Sequence, residues 1–163
     1  MAIKLVNIDD RLVHGQVATS WVKNFAIESI IVVDDNAAND PIQKKIAGLA
    51  VPGVQVNIFS VEKFLDVMKK TTIKKSTLLL FGTPINLLKV IENGHDFDYV
   101  NISGMRFNPD RKRLLKNVSV TEEELEALEE IINRGVEVYA QTTTRDEKTN
   151  LKSLIEKYKK ERR

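Results

Sequence analysis

The chain has 163 residues, of which 42% are hydrophobic and 29% are charged, and these values are typical of an ordinary globular protein. Its 25 basic and 23 acidic residues leave a formal net charge of +2, which argues against a dedicated nucleic-acid-binding protein, because such proteins carry a strong basic excess. The absence of cysteine excludes disulfides and cysteine-based metal sites, and the presence of only two histidines argues against a zinc site.

The first ten residues, MAIKLVNIDD, are not expected to act as a signal peptide, because an acidic pair follows a short apolar run. No later run approaches the roughly 18 consecutive apolar residues of a membrane-spanning helix. We therefore expect a cytoplasmic protein that reaches a membrane only if another protein brings it there.

Apolar, β-branched runs recur along the chain and predict the strands of a mostly parallel sheet. Nearly continuous apolar runs, such as SIIVV, are typical of strands that are covered on both faces. The predicted strands span 2–8, 29–35, 54–59, 76–82, 98–103 and 136–141, and a further short strand is predicted at 114–120.

Helical patterns separate these strands. Val17, Trp21 and Phe25 lie four residues apart and form one apolar helical face. The further helices are predicted to begin at the cap Asn39 or Asp40, at Ser60, at Pro84, at Thr121 and at about Arg145. This alternation predicts a single α/β domain over residues 1–163, with a mostly parallel central sheet of about six or seven strands and helices on both faces.

The loop that follows the first predicted strand contains the sequence IDDRLVHGQV, residues 8 to 17. Ligands bind to open α/β sheets beyond the carboxyl ends of the strands, and this loop lies at such an end. His14 also lies at the start of the next predicted helix, where free backbone N–H groups attract anions, and phosphate especially. The position of His14 therefore predicts a phosphate-handling site.

The residue types in this loop indicate a phosphohistidine site better than a general base. A largely neutral imidazole, which the positive end of a helix favours further, is a nucleophile. Arg11 and the backbone N–H groups can hold the charge of a transferred phosphoryl group, and Gly15 leaves its approach open. Asp10 is expected either to orient the ring or to fix Arg11, and Asp9 to cap the turn. From residue types alone, an ordinary loop histidine beside a surface salt bridge stays open.

The string IDDRLVHGQV resembles the phosphorylation-site motif of the IIB subunits of the mannose/fructose/sorbose family, which belong to the bacterial phosphoenolpyruvate-dependent sugar phosphotransferase system. The resemblance continues through IIVVDDNAANDPIQKK, through SGMRF (103–107) and through VSVTEEELEALEEIINRGVEV, so it covers nearly the whole chain. The family's fold is a mostly parallel, helix-covered sheet, in agreement with the predicted elements.

The resemblance implies that His14 accepts a phosphoryl group from the phosphohistidine of a IIA protein and passes it to a sugar held by the membrane subunits IIC and IID. Arg11 would stabilise the phosphoryl group, Asp10 would flank it, and Gly15 and Gln16 would complete the phosphate-binding positions. The protein would thus be a protein-phosphohistidine–sugar phosphotransferase at the inner face of the cell membrane, attached through its partner subunits. No metal, nucleotide, other cofactor or nucleic acid is implied.

Several points stay open at this level. The sequence does not identify the sugar, the imidazole nitrogen that is phosphorylated, or the oligomeric state, with a homodimer among the alternatives. Met105 and Arg106 either line the site from a neighbouring strand end or serve in packing and at the surface.

Three other functions are alternatives to the phosphocarrier. Asp34 and Asp35 resemble the acidic pair of a receiver domain phosphorylated on aspartate, but such a domain needs an acceptor aspartate after its third strand, where this chain has Phe59 and Ser60. A nucleotide-binding module lacks both G-x-G-x-x-G and G-x-x-x-x-G-K-[ST]. A scaffold protein would not need the loop histidine and arginine. The second histidine, His95, lies in a predicted polar turn and is assigned no role.

Overall fold

The computed structural model describes residues 2–162, except for the side chains of Gln16, Val17 and Arg162. Seven strands form one sheet in the order β3-β2-β4-β1-β5-β8-β9, and β6 and β7 form a separate hairpin. The strands are β1 (Ile3–Asp9), β2 (Ser29–Val33), β3 (Gln55–Phe59), β4 (Thr77–Phe81), β5 (Tyr99–Gly104), β6 (Lys112–Leu115), β7 (Val118–Val120), β8 (Glu137–Ala140) and β9 (Thr149–Asn150).

The first six strands of this order run parallel, and only β9 is antiparallel to its neighbour β8. The six parallel strands therefore end at one edge of the sheet, which we call the carboxyl edge; the opposite edge is the amino edge. The prediction of a mostly parallel sheet of six or seven strands is confirmed.

Helices cover both faces of the sheet, as predicted. They are α1 (Gly15–Asn24), α2 (Asp35–Ala38), α3 (Pro41–Ala50), α4 (Val61–Lys70), α5 (Pro84–Glu92), α6 (Glu122–Asn133) and α7 (Leu151–Arg162). Within residues 2–162, no helix is long and apolar enough to cross a bilayer.

The helix starts follow the capping signals in the sequence. Asp40 accepts hydrogen bonds from the N–H groups of Ile42 and Gln43, and Ser60 accepts one from Lys63. Thr121 and Glu124 form a reciprocal capping box at the start of α6. Each of these side chains satisfies N–H groups that have no partner inside the helix, so the chain turns from strand to helix at a defined residue.

Successive residues of the central strands belong to two separate hydrophobic clusters, one on each face of the sheet. Leu5, Ile30 and Leu80 pack with α1 and α3 on one face. Val6 and Ile31 pack with α4, α5, α6 and α7 on the other. Because side chains alternate across a strand, a nearly continuous apolar run fills both clusters at once, which is why these strands contain so few polar residues.

Two regions differ from the prediction. The segment 114–120 is not one strand: it turns at Lys116 and Asn117, so that β6 and β7 pair with each other. The last helix begins at Leu151 rather than near Arg145, because the Asp146 carboxylate accepts hydrogen bonds from the N–H and hydroxyl groups of Thr143 and closes a turn there. Local side chain–backbone bonds of this kind compete with helix formation.

The position of β1 creates a crevice at the carboxyl edge. β1 lies between β4 and β5, and the helices that follow β1 and β4 pack on opposite faces of the sheet. The loops that leave these strands therefore diverge, which opens space above the end of β1. The β6–β7 hairpin is attached at the same edge, through a bridge between Met105 and Val118.

Candidate active site

The loop after β1 is a tight turn held by the backbone and by one buried carboxylate. Asp9 accepts hydrogen bonds from the N–H of Arg11 (3.0 Å, on Oδ1) and from the N–H of Leu12 (3.0 Å, on its carbonyl). The N–H of Asp10 donates to the carbonyl of Gly104 on β5 (3.1 Å). Leu12 adopts a left-handed backbone with φ of 60°, a strained conformation that the surrounding bonds maintain.

His14 occupies the position before the first residue of α1, with an extended backbone (φ −146°, ψ 136°). Its side chain does not cap the helix; the imidazole Nε2 lies 2.9 Å from Oδ2 of Asp9 instead. The His14 side chain is 24% exposed and that of Asp9 is 1% exposed. The ring is therefore held from the protein side, and one edge of it remains accessible.

A chain of buried hydrogen bonds supports Asp9 from below. The Ser103 hydroxyl donates to Oδ2 of Asp9 (2.8 Å), the same oxygen that contacts His14. The Asn7 amide donates to Ser103 (2.9 Å), and the Asn101 amide donates to the Asn7 carbonyl oxygen (2.9 Å) and to the carbonyl of Gln141 (2.9 Å). Both N–H groups of the Asn101 amide are engaged, and Ser103, which accepts from Asn7, gives its single hydroxyl proton to Asp9, so these bonds run in one direction toward the carboxylate.

Asp9 is ionised at neutral pH despite its burial. Burial alone raises the pKa of Asp9, but the hydrogen bonds from His14, from the N–H of Arg11 and from Ser103 outweigh it, so the pKa lies below its ordinary value. An ionised carboxylate can only accept hydrogen bonds. The bond to His14 therefore places the proton of a neutral imidazole on Nε2, and it leaves the lone pair on Nδ1.

Arg11 brings positive charge to the rim of the site. Its Nε lies 3.9 Å from Oδ1 of Asp9, and its side chain is 40% exposed. It lines two cavities, one of about 350 Å³ beside α3 and one of about 280 Å³ beside the β6–β7 hairpin; we call them the α3 cavity and the hairpin cavity. Arg113 and Lys116 add further cations to the wall of the hairpin cavity. The arrangement suits an anion placed above the loop.

The prediction that Asp10 orients the imidazole or fixes Arg11 is wrong, because Asp9 holds the ring. Asn7 and Asp9 are two residues apart on β1, so both side chains point toward β5 and its Ser103. Asp10 lies beyond the strand and turns away from them. The predicted role of Asp9 as a cap of the turn is confirmed, and its bond to His14 is additional.

Asp10 instead bonds the loop to a partly buried arginine, Arg111. Arg111 Nη1 donates to Oδ2 of Asp10 (2.9 Å), while its Nε and Nη2 donate to both carboxylate oxygens of Glu124 (2.9 and 2.8 Å). Arg106 donates to Asp10 through its backbone N–H (3.1 Å) and its Nε (3.3 Å). Burial lowers the pKa of Arg111, but the bonds to Glu124 and Asp10 raise it above its ordinary value. Asp10 thus fixes the loop against the start of α6.

The remaining predicted positions have distinct surroundings. Gly15, the first residue of α1, has φ of +35°, and no atom lies within 4 Å of the place where a Cβ would stand. The Gln16 side chain lies outside the described part of the structure. Met105 is fully buried in the core and lies in the wall of the hairpin cavity, whereas the Arg106 side chain is 62% exposed and lines both cavities. Met105 therefore serves in packing, and Arg106 belongs to the rim.

Asp34 and Asp35 have structural partners at the carboxyl edge. Asp34 accepts a hydrogen bond from the N–H of Ala37 and caps α2, and Asp35 accepts one from the N–H of Val61 at the start of α4. Ser60, which stands where a receiver domain would need its acceptor aspartate, caps α4. The structure therefore does not support the receiver alternative.

Sequence reasoning missed Arg111 and Glu124, and it gave Asp9 only part of its role. The acidic start of α6 was visible in the sequence, but its partner Arg111 lies 13 residues away, in a loop that carries no motif. The period-two spacing of Asn7 and Asp9 was the one available signal for the shared face.

Comparison with known proteins identifies the family. The family described as "PTS system sorbose subfamily IIB component" matches residues 3–163. The N-acetylgalactosamine-specific phosphotransferase enzyme IIB component 1 of Escherichia coli K12 is 35% identical over 151 residues, which cover 91% of this chain and 96% of that protein. The mannose-specific EIIAB component of the same organism is 35% identical over 162 residues; they cover 98% of this chain but 50% of that longer protein.

A solved structure agrees with these sequence matches. The IIBSor domain of the sorbose permease from Klebsiella pneumoniae superposes with a TM-score of 0.89 at 33% identity, and the match covers 96% of this chain and 98% of that domain. The family match, the relatives and the shared fold agree over almost the whole chain. The protein therefore belongs to the sorbose-subfamily IIB components of the sugar phosphotransferase system.

Proposed function

We propose that residues 1–163 act as one IIB domain in which Nδ1 of His14 carries the phosphoryl group between a IIA protein and a sugar. IIB components are phosphotransferases of sugar uptake, so the reaction class follows from the family. The residue and the atom rest on the structure of the loop after β1. The observation that supports them most directly is the 2.9 Å contact between Nε2 of His14 and the buried carboxylate of Asp9.

The choice of Nδ1 follows from the protonation of Asp9. Because Asp9 is ionised and accepts the Nε2 proton, Nδ1 is the ring nitrogen with a lone pair available for attack. Asp9 occupies Nε2 before and after transfer, so that nitrogen cannot reach phosphorus without breaking the bond.

The transfer balances without releasing a proton. Nδ1 of His14 forms a bond to phosphorus as the bond between phosphorus and the donor nitrogen breaks. The donor ring, which is protonated on its other nitrogen and positively charged while it carries the group, recovers its lone pair and becomes neutral. The His14 ring becomes positively charged and keeps its Nε2 proton, and the negative charge of Asp9 stabilises it. Positioning and charge stabilisation supply most of the catalysis in phosphoryl transfer.

Arg11 and the start of α1 stabilise the phosphoryl oxygens in this proposal. Arg11 stands at the rim with its guanidinium free to turn toward an anion, and the N–H groups of the first helical turn add partial positive charge. Gly15 keeps the approach open, and Gln16 contributes at least its backbone. One half-exposed arginine binds phosphate moderately, which suits a carrier that must release the group to the next acceptor.

The partners follow from the family and the relatives. The matching half of a mannose-specific EIIAB component lies in one chain with further sequence, and its name supports a IIA donor for this IIB component. We propose that the IIC and IID membrane subunits present the sugar, and that the protein works at the inner face of the membrane through them. The relatives are named for N-acetylgalactosamine, mannose and sorbose, which supports a hexose or an N-acetylated amino hexose as the acceptor.

Incubation with phosphorylated IIA component, followed by mapping of the modified residue, tests the proposal. His14→Ala should accept no phosphoryl group. His95→Ala should accept as much as the wild type, because His95 lies at the amino edge, far from the loop. Phosphorylation of His14→Ala at any other residue to the wild-type extent would refute the assignment.

A further inference from the structure

Four buried polar side chains occupy one face of two neighbouring strands at the centre of the sheet. Asn7 and Asp9 lie two residues apart on β1, so both point to the same side. Asn101 and Ser103 have the same spacing on the adjacent β5, and hydrogen bonds join all four. Each is at most 3% exposed. Buried polar groups cost stability unless they are paired, which points to a role besides packing. We call Asn101, Asn7 and Ser103 the donor file.

The donor file leaves one of its own atoms without a hydrogen bond. Among the residues that the structure describes, Oδ1 of Asn101 is the one buried side-chain oxygen or nitrogen that has no partner. The N–H groups of the same amide are both used, on the carbonyl of Gln141 and on Oδ1 of Asn7. An unpaired buried acceptor is destabilising. Asn101 therefore acts as a donor at the expense of its own oxygen.

Both ends of the donor file are groups that can only accept hydrogen bonds. They are the backbone carbonyl of Gln141 and the ionised carboxylate of Asp9. Turning the Asn101 amide would set its oxygen against the Gln141 carbonyl, and turning the Asn7 amide would set two N–H groups against each other. The N–H of Asn7 therefore points to Ser103, and the single proton of Ser103 is committed to Oδ2 of Asp9.

We propose that Ser103 and Asn7 are positioning residues of phosphoryl transfer, which hold Oδ2 of Asp9 beneath Nε2 of His14. This inference rests on the proposed function, in which Nδ1 of the same ring carries the group. Ser103 acts through Asp9, and Asn7 acts through Ser103. Within the described residues, loss of the Ser103 hydroxyl would leave the carboxylate its bond from the N–H of Arg11 on Oδ1, but Oδ2 would be bonded to the mobile ring alone. The carboxylate and the imidazole could then turn together.

The test removes the hydroxyl and compares two phosphoryl donors. Ser103→Ala deletes one oxygen from the donor file. Ser29→Ala is the matched control, because it makes the same change at a buried serine, 6% exposed, at the start of β2 on the amino edge. The donors are the phosphorylated IIA component, which must dock, and phosphoramidate, a small molecule that need not.

We expect Ser103→Ala to phosphorylate about tenfold more slowly with both donors, as when a group that supports a functional histidine through its partner is lost. The KM for the phosphorylated IIA component should stay at the wild-type value, because Ser103 is buried and cannot contact a partner. Ser103→Cys, which keeps the shape but has a weaker donor, should give an intermediate rate. Ser29→Ala should match wild type in every measurement.

A second measurement reports on Asp9 directly. Burial raises the pKa of Asp9, and hydrogen bonds, among them the one from Ser103, lower it below its ordinary value. In Ser103→Ala one of these bonds is missing, so the pKa of Asp9 should rise relative to wild type. The ¹³C shift of the Asp9 carboxyl, followed through a pH titration, measures the change.

A double-mutant cycle tests the order of the donor file. Asn7→Ala alone should slow transfer, because the Ser103 hydroxyl loses the donor that directs its proton to Asp9. On the Ser103→Ala background the same change should slow transfer no further, because Asn7 acts through Ser103. Effects that multiply would show that Asn7 acts by another route.

Three results would overturn the inference while leaving His14 as the carrier. They are a wild-type rate for folded Ser103→Ala, a loss of rate that appears with the IIA donor but not with phosphoramidate, and an unchanged pKa of Asp9 in Ser103→Ala. A wild-type protein that neither donor phosphorylates at His14 would contradict the proposed function itself.

Discussion

The two edges of the sheet each hold a histidine and a cavity, and they differ in what surrounds the histidine. The amino edge has the larger cavity, about 400 Å³, which His95 lines together with apolar side chains from β1, α4 and the segment before β5. His95 stacks against Phe64, with ring centres 5.9 Å apart, and no carboxylate in residues 2–162 pairs with it. The carboxyl edge has smaller cavities, but its histidine bonds to a buried carboxylate beside an arginine.

This difference shows that neither a histidine nor a large cavity defines the site. The direction of the strands determines where the candidate site lies, because the free N–H groups of α1 point to the carboxyl edge, where β1 ends. A loop at that edge gains the partial positive charge of a helix start together with the side chains of the neighbouring strand. The amino edge receives the opposite ends of the helices.

The largest effect in the comparison is expected from removing the carboxylate of Asp9. Asp9→Asn keeps the shape but loses the charge that, in the proposed mechanism, stabilises the phosphorylated ring and fixes its proton. Phosphoryl transfer from IIA should slow by about 100-fold or more, in the range found when a carboxylate that orients a functional histidine is replaced.

The matched control is Asp98→Asn, the same chemical change at the amino edge, where Asp98 is exposed and borders the cavity of His95. We expect the wild-type rate of phosphoryl transfer for that variant, measured from quenched time courses of the reaction with phosphorylated IIA. Equal transfer rates for Asp9→Asn and wild type would remove Asp9 from the mechanism.

A smaller effect is expected from Arg11. Arg11→Ala should slow transfer about 10- to 100-fold, less than the loss of a fully buried donor, because this side chain is 40% exposed. Its melting temperature should stay at the wild-type value, because the one ion pair of the guanidinium within residues 2–162 is a distant contact, at 3.9 Å. Lys4→Ala removes a cation from the amino edge and should change neither quantity. An unchanged transfer rate for Arg11→Ala would refute its assigned role.

The architecture and the position of the loop could be predicted from the sequence, whereas the partners inside the site could not. Buried strands and helix caps are local signals, so β1, β2 and the start of α3 at Asp40 follow from residue types. The role of Asp9 depends on β5 lying next to β1, which places Ser103 under the carboxylate. That neighbour relation is a property of the whole sheet. The Asp10–Arg111–Glu124 cluster joins three segments and has no local pattern.

The smallest effect concerns stability in acid. The folded-state pKa of Asp9 lies below its unfolded value, so Asp9 contributes stability above that value and loses it as the pH falls below about 4 and through the folded pKa. The free energy of unfolding of wild type should therefore fall more steeply below about pH 4 than that of Asp9→Asn. Denaturant titrations at several pH values measure the difference. Parallel curves for the two proteins would mean that the hydrogen bonds from His14 and Ser103 to the Asp9 carboxylate do not stabilise the folded state.

The most direct test of the central claim is the identity of the phosphorylated nitrogen in the wild-type protein. Long-range ¹H–¹⁵N correlation spectra of protein with ¹⁵N-labelled histidine, recorded before and after phosphorylation by the IIA donor, assign both ring nitrogens of His14. We predict that phosphorus binds Nδ1 while Nε2 keeps its proton and its bond to Asp9. A phosphoryl group on Nε2 would contradict the account, because it would require that bond to break.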